Sequence, residues 1–412
     1  MGTLWKIAVR NTVRHGRRTI ITALVLMAGI GIFIFVDTLG AGMGRSGVDN
    51  MADYALSSLK VRNPAYVEDI EASPLDKGLA NPDEAVAALA KEGLPAAPRV
   101  RFVAQVSNYT DQIPVLAAAV DPKADSKVFR VSSSVSAGTW LAGAPSKSVV
   151  FGIAFAQELK LKVGDSVLIS AQTMDDRTNA DEYSVVGLVD TPVPEVNKNG
   201  LFMSLTDARA LLDAPDLVTE VDAALPRAVT LNAGLVAADS AAERLRGALP
   251  GVRIDPIREL GKVFLADLDA HGVYFRILVV IILLIAAVGI VNTILMSVYS
   301  RVREIGILRA YGMVRRDIAR LFTLEGLMVG IFGSLLGVTL GVGLDIFMIV
   351  RGIPAATFSG AVPWVSGFIH GEWNLRTMIV GFAFGVLVSF IASLIPARRA
   401  AKLEPTAALR FQ

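Results

Sequence analysis

A membrane protein of four transmembrane α-helices, with a large α+β extracytoplasmic domain inserted between helices 1 and 2, is the fold class this sequence predicts. Three observations predict it: four apolar runs long enough to cross a bilayer, a long globular stretch between the first two, and Lys and Arg gathered on one side of that plan. The chain of 412 residues is 53% hydrophobic and 19% charged. Soluble domains carry roughly 25% charged residues, so the excess apolar content calls for a lipid solvent.

A helix needs about 20 apolar residues to cross the hydrocarbon core. Uncharged runs of that length lie between Arg18 and Asp37, Arg276 and Arg301, Glu325 and Asp345, and Arg376 and Arg398. They set spans at 20–43, 275–300, 322–350 and 377–396. The first run exceeds the apolar core of a signal peptide, so it reads as a retained anchor. Lys6, Arg10, Arg14, Arg17 and Arg18 fill the basic N-terminus 1–19. Arg301, Arg303, Arg309, Arg315, Arg316 and Arg320 fill the segment 301–321, and Arg398, Arg399, Lys402 and Arg410 the tail 397–412. The short outer loop 351–376 has basic residues only at its edges. The positive-inside rule then sets all three basic segments in the cytoplasm, with both termini on that side of the membrane and 44–274 outside it.

Within 44–274, strand-like runs recur at 100–106, 115–120, 148–151, 165–170, 183–189 and 201–204. Helical patterns fall at 83–91, 155–161, 206–212 and 237–248, which makes the segment α+β. A subdomain boundary is expected near 121–134. Helical character continues past span 1 through 45–59 and resumes at 257–274 before span 2. Gly40, Gly42, Gly44 and Gly47 each weaken a helix by about 1 kcal/mol, so a flexible linker competes with a continuous helix at the first junction.

Composition excludes several classes. The absence of Cys removes disulfides and thiolate chemistry, and His15, His271 and His370 are too scattered for a metal cluster. A net charge of +2 implies no nucleic-acid partner. No G-x-x-x-x-G-K-[ST], G-x-S-x-G or H-E-x-x-H motif occurs, so neither ATP binding nor hydrolytic catalysis is expected of this chain, and no cofactor or metal site. Span 3 carries Gly326, Gly330, Gly333, Gly337 and Gly341, largely spaced by four, the pattern of a close helix-packing face within the chain or between subunits. Asn292, inside span 2, calls for an interhelical hydrogen bond. Asp37 and Asp345 fall near the outer membrane edge, where water is expected to satisfy them.

Residues 300–322 read SRVREIGILRAYGMVRRDIARLF. Ile305, Leu308, Tyr311 and Met313 or Val314 recur at roughly helical spacing among Arg303, Arg309, Arg315 and Arg316. That pattern suits an amphipathic helix on a membrane surface or against a partner, and equally a basic loop that holds topology.

Here the chain resembles the FtsX/MacB-type permease family of ABC transporters. Arg301, Arg303, Glu304, Ile305, Gly306, Ile307, Leu308, Arg309, Ala310 and Gly312 match its R-x-R-E-I-G-I-L-R-A-x-G loop, with Glu325 downstream. Ala8, Arg10, Asn11, Arg17, Arg18 and Thr19 fit its N-terminal pattern. Pro396-Ala397-Arg398-Arg399-Ala400-Ala401, Pro405 and Leu409-Arg410 fit its C-terminal one. A shorter match at Ala119-Val120-Asp121-Pro122, Gly138, Leu141, Phe151-Gly152 and Leu161-Lys162-Val163-Gly164-Asp165 is similar to the lipoprotein-releasing (LolC/LolE-type) branch.

The resemblance implies a non-catalytic permease subunit. MacB-type permeases carry a fused N-terminal ATPase, whereas 19 residues precede span 1 here, so a separate cytoplasmic ABC ATPase dimer would hold the ATP and Mg. A second permease chain, the same or related, is the other implied partner. Arg303, Glu304, Gly306, Arg309, Ala310 and Gly312 would form the coupling segment docked on the ATPase. The implied work is extraction of lipoproteins from the inner membrane, with a lipoprotein or periplasmic adaptor as further partner. Efflux or cell-wall-hydrolase activation by mechanical transmission is the alternative within the family. Outside the family, a membrane-anchored sensor signalling through a partner fits the same topology.

Overall fold

The computed structural model of the chain describes residues 16–68, 74–175, 177–358 and 368–402. Lys6, Ala8, Arg10, Asn11 and Arg14 at one end, and Pro405, Leu409 and Arg410 at the other, lie outside them. Two compact units form: a membrane unit (Met1–Met43, Asp267–Ile353, Ile369–Gln412) and an inserted domain (Gly44–Ala266, Pro354–Phe368).

Helix α1 (Gly16–Met51) runs unbroken through Gly40, Gly42, Gly44 and Gly47, so no linker forms there. Two of these glycines are required by contact. A Cβ at Gly42 would strike the His370 carbonyl, and one at Gly47 the Phe264 ring. A π-turn (Ala52–Leu56) follows and stops at Ser57, whose φ is +66°.

The inserted domain continues with β1 (Leu59–Arg62), α2 (Pro82–Lys91), β2 (Ala96–Ser107), β3 (Gln112–Val120), α3 (Pro122–Val128), β4 (Val135–Gly138) and β5 (Ser148–Gly152). Then come α4 (Ile153–Glu158), β6 (Ser166–Gln172), β7 (Thr178–Val189), α5 (Pro194–Asn199), β8 (Leu201–Ser204) and α6 (Leu205–Leu211). The domain ends with β9 (Glu220–Ala223), α7 (Leu231–Ala248) and β10 (Arg253–Pro256). The membrane unit resumes with α8 (Lys262–Ser300), α9 (Val302–Ala310), α10 (Arg315–Arg351) and α11 (Leu375–Ala401). Helices α1, α8, α10 and α11 are each long and apolar enough to cross a membrane.

Six strands of the inserted domain close a circuit: β2 pairs β3, β3 pairs β8, β8 pairs β5, β5 pairs β7, β7 pairs β6, and β6 returns to β2. Closure leaves no open edge within the circuit. From β2 the sheet also extends through β9, β1 and β10, all antiparallel. Alternation along β2 divides two cores. Val100, Phe102, Ala104 and Val106 face the first, with Val167 and Ile169 of β6 and Phe155 of α4. Ala97 of β2 and Ala118 and Val120 of β3 face the second, with Val128, Phe129 and Val131.

Residues of 121–134, where a subdomain boundary is expected, pack into this second core. The Asp121 carboxylate accepts from the Lys123 and Ala124 amides at 2.9 and 3.2 Å, and Pro122 starts α3, so the segment is a capped helix plugged into the sheet. Strands β1, β9 and β10 escape the hydrophobic pattern for a related reason: their buried positions hold charges. Lys60 lies 2.7 Å from Glu220 and 3.2 Å from Asp222; Arg62 meets Asp255 at 2.5 Å. Arg99 meets Asp125 at 2.7 Å and stacks 3.4 Å above the Phe129 ring centroid. Each member is at most 7% exposed, so only pairing makes these strands tolerable inside.

In the membrane unit, α10 presents two glycine faces to two helices of the same chain. A Cβ on Gly330 would meet Ser389 Cβ of α11 at 2.5 Å, and Gly326 likewise backs onto Ser393. Gly333, Gly337 and Gly341 would meet the Cβ atoms of Leu26, Ile30 and Ile34 of α1 at 2.7–2.8 Å. Two polar expectations are corrected. Asn292 is exposed on α8 and has no hydrogen bond to another helix of this chain among the described residues; the hydroxyls of Thr22 and Thr293, 2.6 Å apart, link α1 to α8 instead. Asp345 is fully buried, and Asp37 accepts from Thr377 Oγ1 at 2.6 Å and Asn374 Nδ2 at 3.2 Å, so bulk water serves neither as sole partner.

Gly337→Ala should lower the melting temperature of the detergent-solubilised chain, because the new methyl group displaces Ile30. Gly343→Ala, with nothing within 4 Å of its would-be Cβ, should leave it unchanged or raise it by the helix-propensity gain of up to about 1 kcal/mol.

Candidate functional site

Helix α8 ends at Ser300, the chain bends at Arg301, and α9 occupies Val302–Ala310. The bend back into α10 needs Gly312, whose φ is +92°, a conformation that L side chains rarely adopt. Amides of Tyr311, Gly312 and Met313 return to carbonyls of α9 at 3.0–3.1 Å and close its end.

The inner face of α9 carries Val302, Ile305 and Gly306, all buried. Ile305 joins a cluster with Val298 of α8, Ile318 and Phe322 of α10, and Ala397, Ala400 and Ala401 of α11. Arg309 belongs to this side too, because its Nη1 donates to the Ala401 carbonyl at 3.2 Å, at the end of α11 where a cation is favoured. Arg301, largely buried, lies 2.9 Å from Glu304 and 3.6 Å from Glu325 of α10. Ser297 of α8 donates to the other Glu325 oxygen at 3.1 Å. Glu325 thus ties α8, the start of α9 and α10 at one buried point.

The outer face is different in kind. Arg303, Ile307 and Tyr311 stand exposed one turn apart, with Glu304, Ala310, Gly312, Val314, Arg315 and Arg316 around them. Tyr311 is 88% exposed and Val314 58%. Among the six residues expected to dock, Arg303, Glu304, Ala310 and Gly312 face outward, while Gly306 and Arg309 face the helix bundle. The expected apolar series is split: Ile305 is buried, Leu308 half-buried and Tyr311 exposed. Tyr311 and Val314 of the expected series are on the exposed face, and Ile307, outside that series, joins them. Its signal was the i, i+4 spacing of Arg303, Ile307 and Tyr311, a second stripe on the same short helix. An exposed aromatic and two aliphatic groups rimmed by arginines, on a helix braced from behind, have the make-up of a protein-docking surface.

The FtsX-like permease C-terminal family matches residues 276–405, and the MacB-like periplasmic core domain family matches residues 19–247, more than half of the chain. The chain belongs to the FtsX/MacB-type ABC permeases. The permease is 25% identical over 332 residues to the lipoprotein-releasing system transmembrane protein LolC of Neisseria meningitidis, covering 77% of this chain and 78% of the relative. It is 27% identical over 331 residues to LolE of Haemophilus influenzae, covering 76% of each. The macrolide export ATP-binding/permease protein MacB of Bdellovibrio bacteriovorus is 34% identical over 130 residues, 32% of this permease and 18% of MacB.

Glu325→Ala should lower the melting temperature of the purified permease by removing about 1–3 kcal/mol, since it takes from Ser297 its acceptor and from Arg301 one of its two carboxylates, leaving Glu304 alone to pair it. Tyr311→Ala, at an exposed position, should shift stability by no more than about 0.5 kcal/mol.

Proposed function

We propose that this permease is the membrane subunit of an ABC complex in which a separate ATPase dimer drives extraction of acylated lipoproteins from a bacterial inner membrane. The single observation that carries the reading is the exposed face of α9: an apolar and basic docking surface at the family's loop motif, fixed to α8, α10 and α11 by Arg301, Glu325 and Arg309. Pressure on α9 from a closing ATPase reaches three spans through those contacts. ATP and Mg belong to the ATPase; the permease supplies no group to the hydrolysis. The basic segments at both ends and at 301–321 support a topology with both termini cytoplasmic and the inserted domain beyond the membrane.

Extent of similarity favours the lipoprotein-releasing branch, since LolC and LolE relatives align across about three quarters of the permease and MacB over one third. A second permease subunit, same or related, packs on α8 in this reading. That helix has the least buried apolar stretch of the four, and Asn292 on its exposed surface gains a hydrogen-bond partner there.

Affinity purification of the tagged permease from native membranes should recover a stoichiometric ATPase and a bound lipoprotein. Tyr311→Ala and Arg303→Glu should each weaken ATPase recovery by about 30-fold or more, the loss expected at an interface hot spot, with membrane insertion intact. Glu304→Lys and Gly312→Trp should uncouple ATP hydrolysis from client release. Undiminished ATPase recovery in the Tyr311 and Arg303 variants removes α9 as the docking site, and recovery of a kinase in place of an ATPase makes the sensor reading the right one.

A further inference from the structure

Where the π-turn after α1 meets the sheet, hydrogen atoms are one short. Ser57 is fully buried, and its hydroxyl lies 2.7 Å from Asp222 Oδ1 and 2.9 Å from the Leu59 carbonyl. Both neighbours are acceptors when Asp222 is ionised, and the hydroxyl has one hydrogen to give. Lys60 Nζ stands 3.2 Å from the same Oδ1, so the acceptor left without a donor is Asp222 Oδ2, buried and with no hydrogen-bond partner among the described residues. A proton on the Asp222 carboxyl removes the charge that the missing donor would have to offset, while Ser57 still joins the carboxyl to the Leu59 carbonyl.

Charge counting points the same way. The groups facing Asp222 are Lys60 of β1, Arg99 of β2 and Glu220 of β9, with Asp125 of α3 on the far side of Arg99. Those are two cations against three carboxylates, all essentially buried. Arg101, half-buried on β2, acts on Glu220, and the neighbouring Asp255 already has Arg62 and Arg253. Arg99 stands 3.9 Å from Asp222, beyond hydrogen-bonding distance, and gives its close contact to Asp125.

We propose that Asp222 is a proton-binding site, and that its proton clamps the turn after α1 onto the sheet of the inserted domain. Burial pushes Asp222 up to about 6, against the pull of Lys60 and with the push of Glu220. An aspartate in open chain titrates near 4, at about 3.9. Between those values the closed clamp holds a proton that an opened one releases, so closure strengthens as pH falls through 6 and weakens as pH rises through it. The backbone bonds that report closure flank the site: Ser57 N to the Ala52 carbonyl at 3.2 Å and Ser58 N to the Ala223 carbonyl at 3.0 Å. The clamp does not rest on the function or topology proposed above; its exposure to the pH of the space beyond the membrane does.

The test is amide hydrogen exchange of the purified full-length permease in nanodiscs from pH 7.5 to pH 5, corrected for intrinsic exchange. Protection at Ser57 and Ser58 should rise about tenfold over that interval, with a midpoint near 6. Asp222→Asn, which fixes the site in its uncharged form, should remove the step. Glu220→Gln, which removes the adjacent like charge, should move the midpoint to lower pH and serves if the first variant fails to fold. Flat protection in the wild type, or a step unchanged in the variants, overturns the proposal. Neither result bears on ATPase recovery or client release, so this proposal and the functional one fail separately.

Discussion

The membrane unit depends on how closely two helices approach the backbone of α10. Lipid offers no hydrophobic reward for bringing apolar helices together, so association rests on dispersion contacts and on backbones near enough to make many of them. Gly326 and Gly330 admit α11, and Gly333, Gly337 and Gly341 admit α1. A side chain on either face would separate the helices by the width of a methyl group. The polar links follow from this approach: Ser389 Oγ reaches the Gly326 carbonyl at 2.6 Å because no side chain stands between them.

The same economy organises the α9 segment. A helix of nine residues has little stability of its own. Here Ile305 lies in the cluster that α8, α10 and α11 share, and an ion pair and a hydrogen bond anchor the remainder, so the outer face is free to carry exposed Ile307 and Tyr311 without loss of order. An exposed apolar and basic surface is held in place by a core belonging to other helices.

Long apolar runs made the four spans readable from sequence, because length and lack of charge alone identify a membrane crossing. The strands of the closed circuit were readable where Val and Ile alternate, as in β2 and β6. β1, β9 and β10 were not, because their buried positions hold Lys60, Glu220, Asp222 and Asp255, which read as solvent-facing until their partners are known. At residues 302–310 the sequence left helix and basic loop open, and it did not fix which face would be exposed. Arg309 looks like another exposed arginine until Ala401, far along the chain, supplies its acceptor. Asn292 and Thr293 are adjacent, and only packing decides which one faces a helix.

The antiparallel register pairs Leu59, where the chain enters the sheet after α1, with Pro256, where it leaves towards α8. The segment 59–256 thus begins and ends on neighbouring strands. A segment whose two ends lie side by side can be enlarged at its far strands without altering the pairing that closes it.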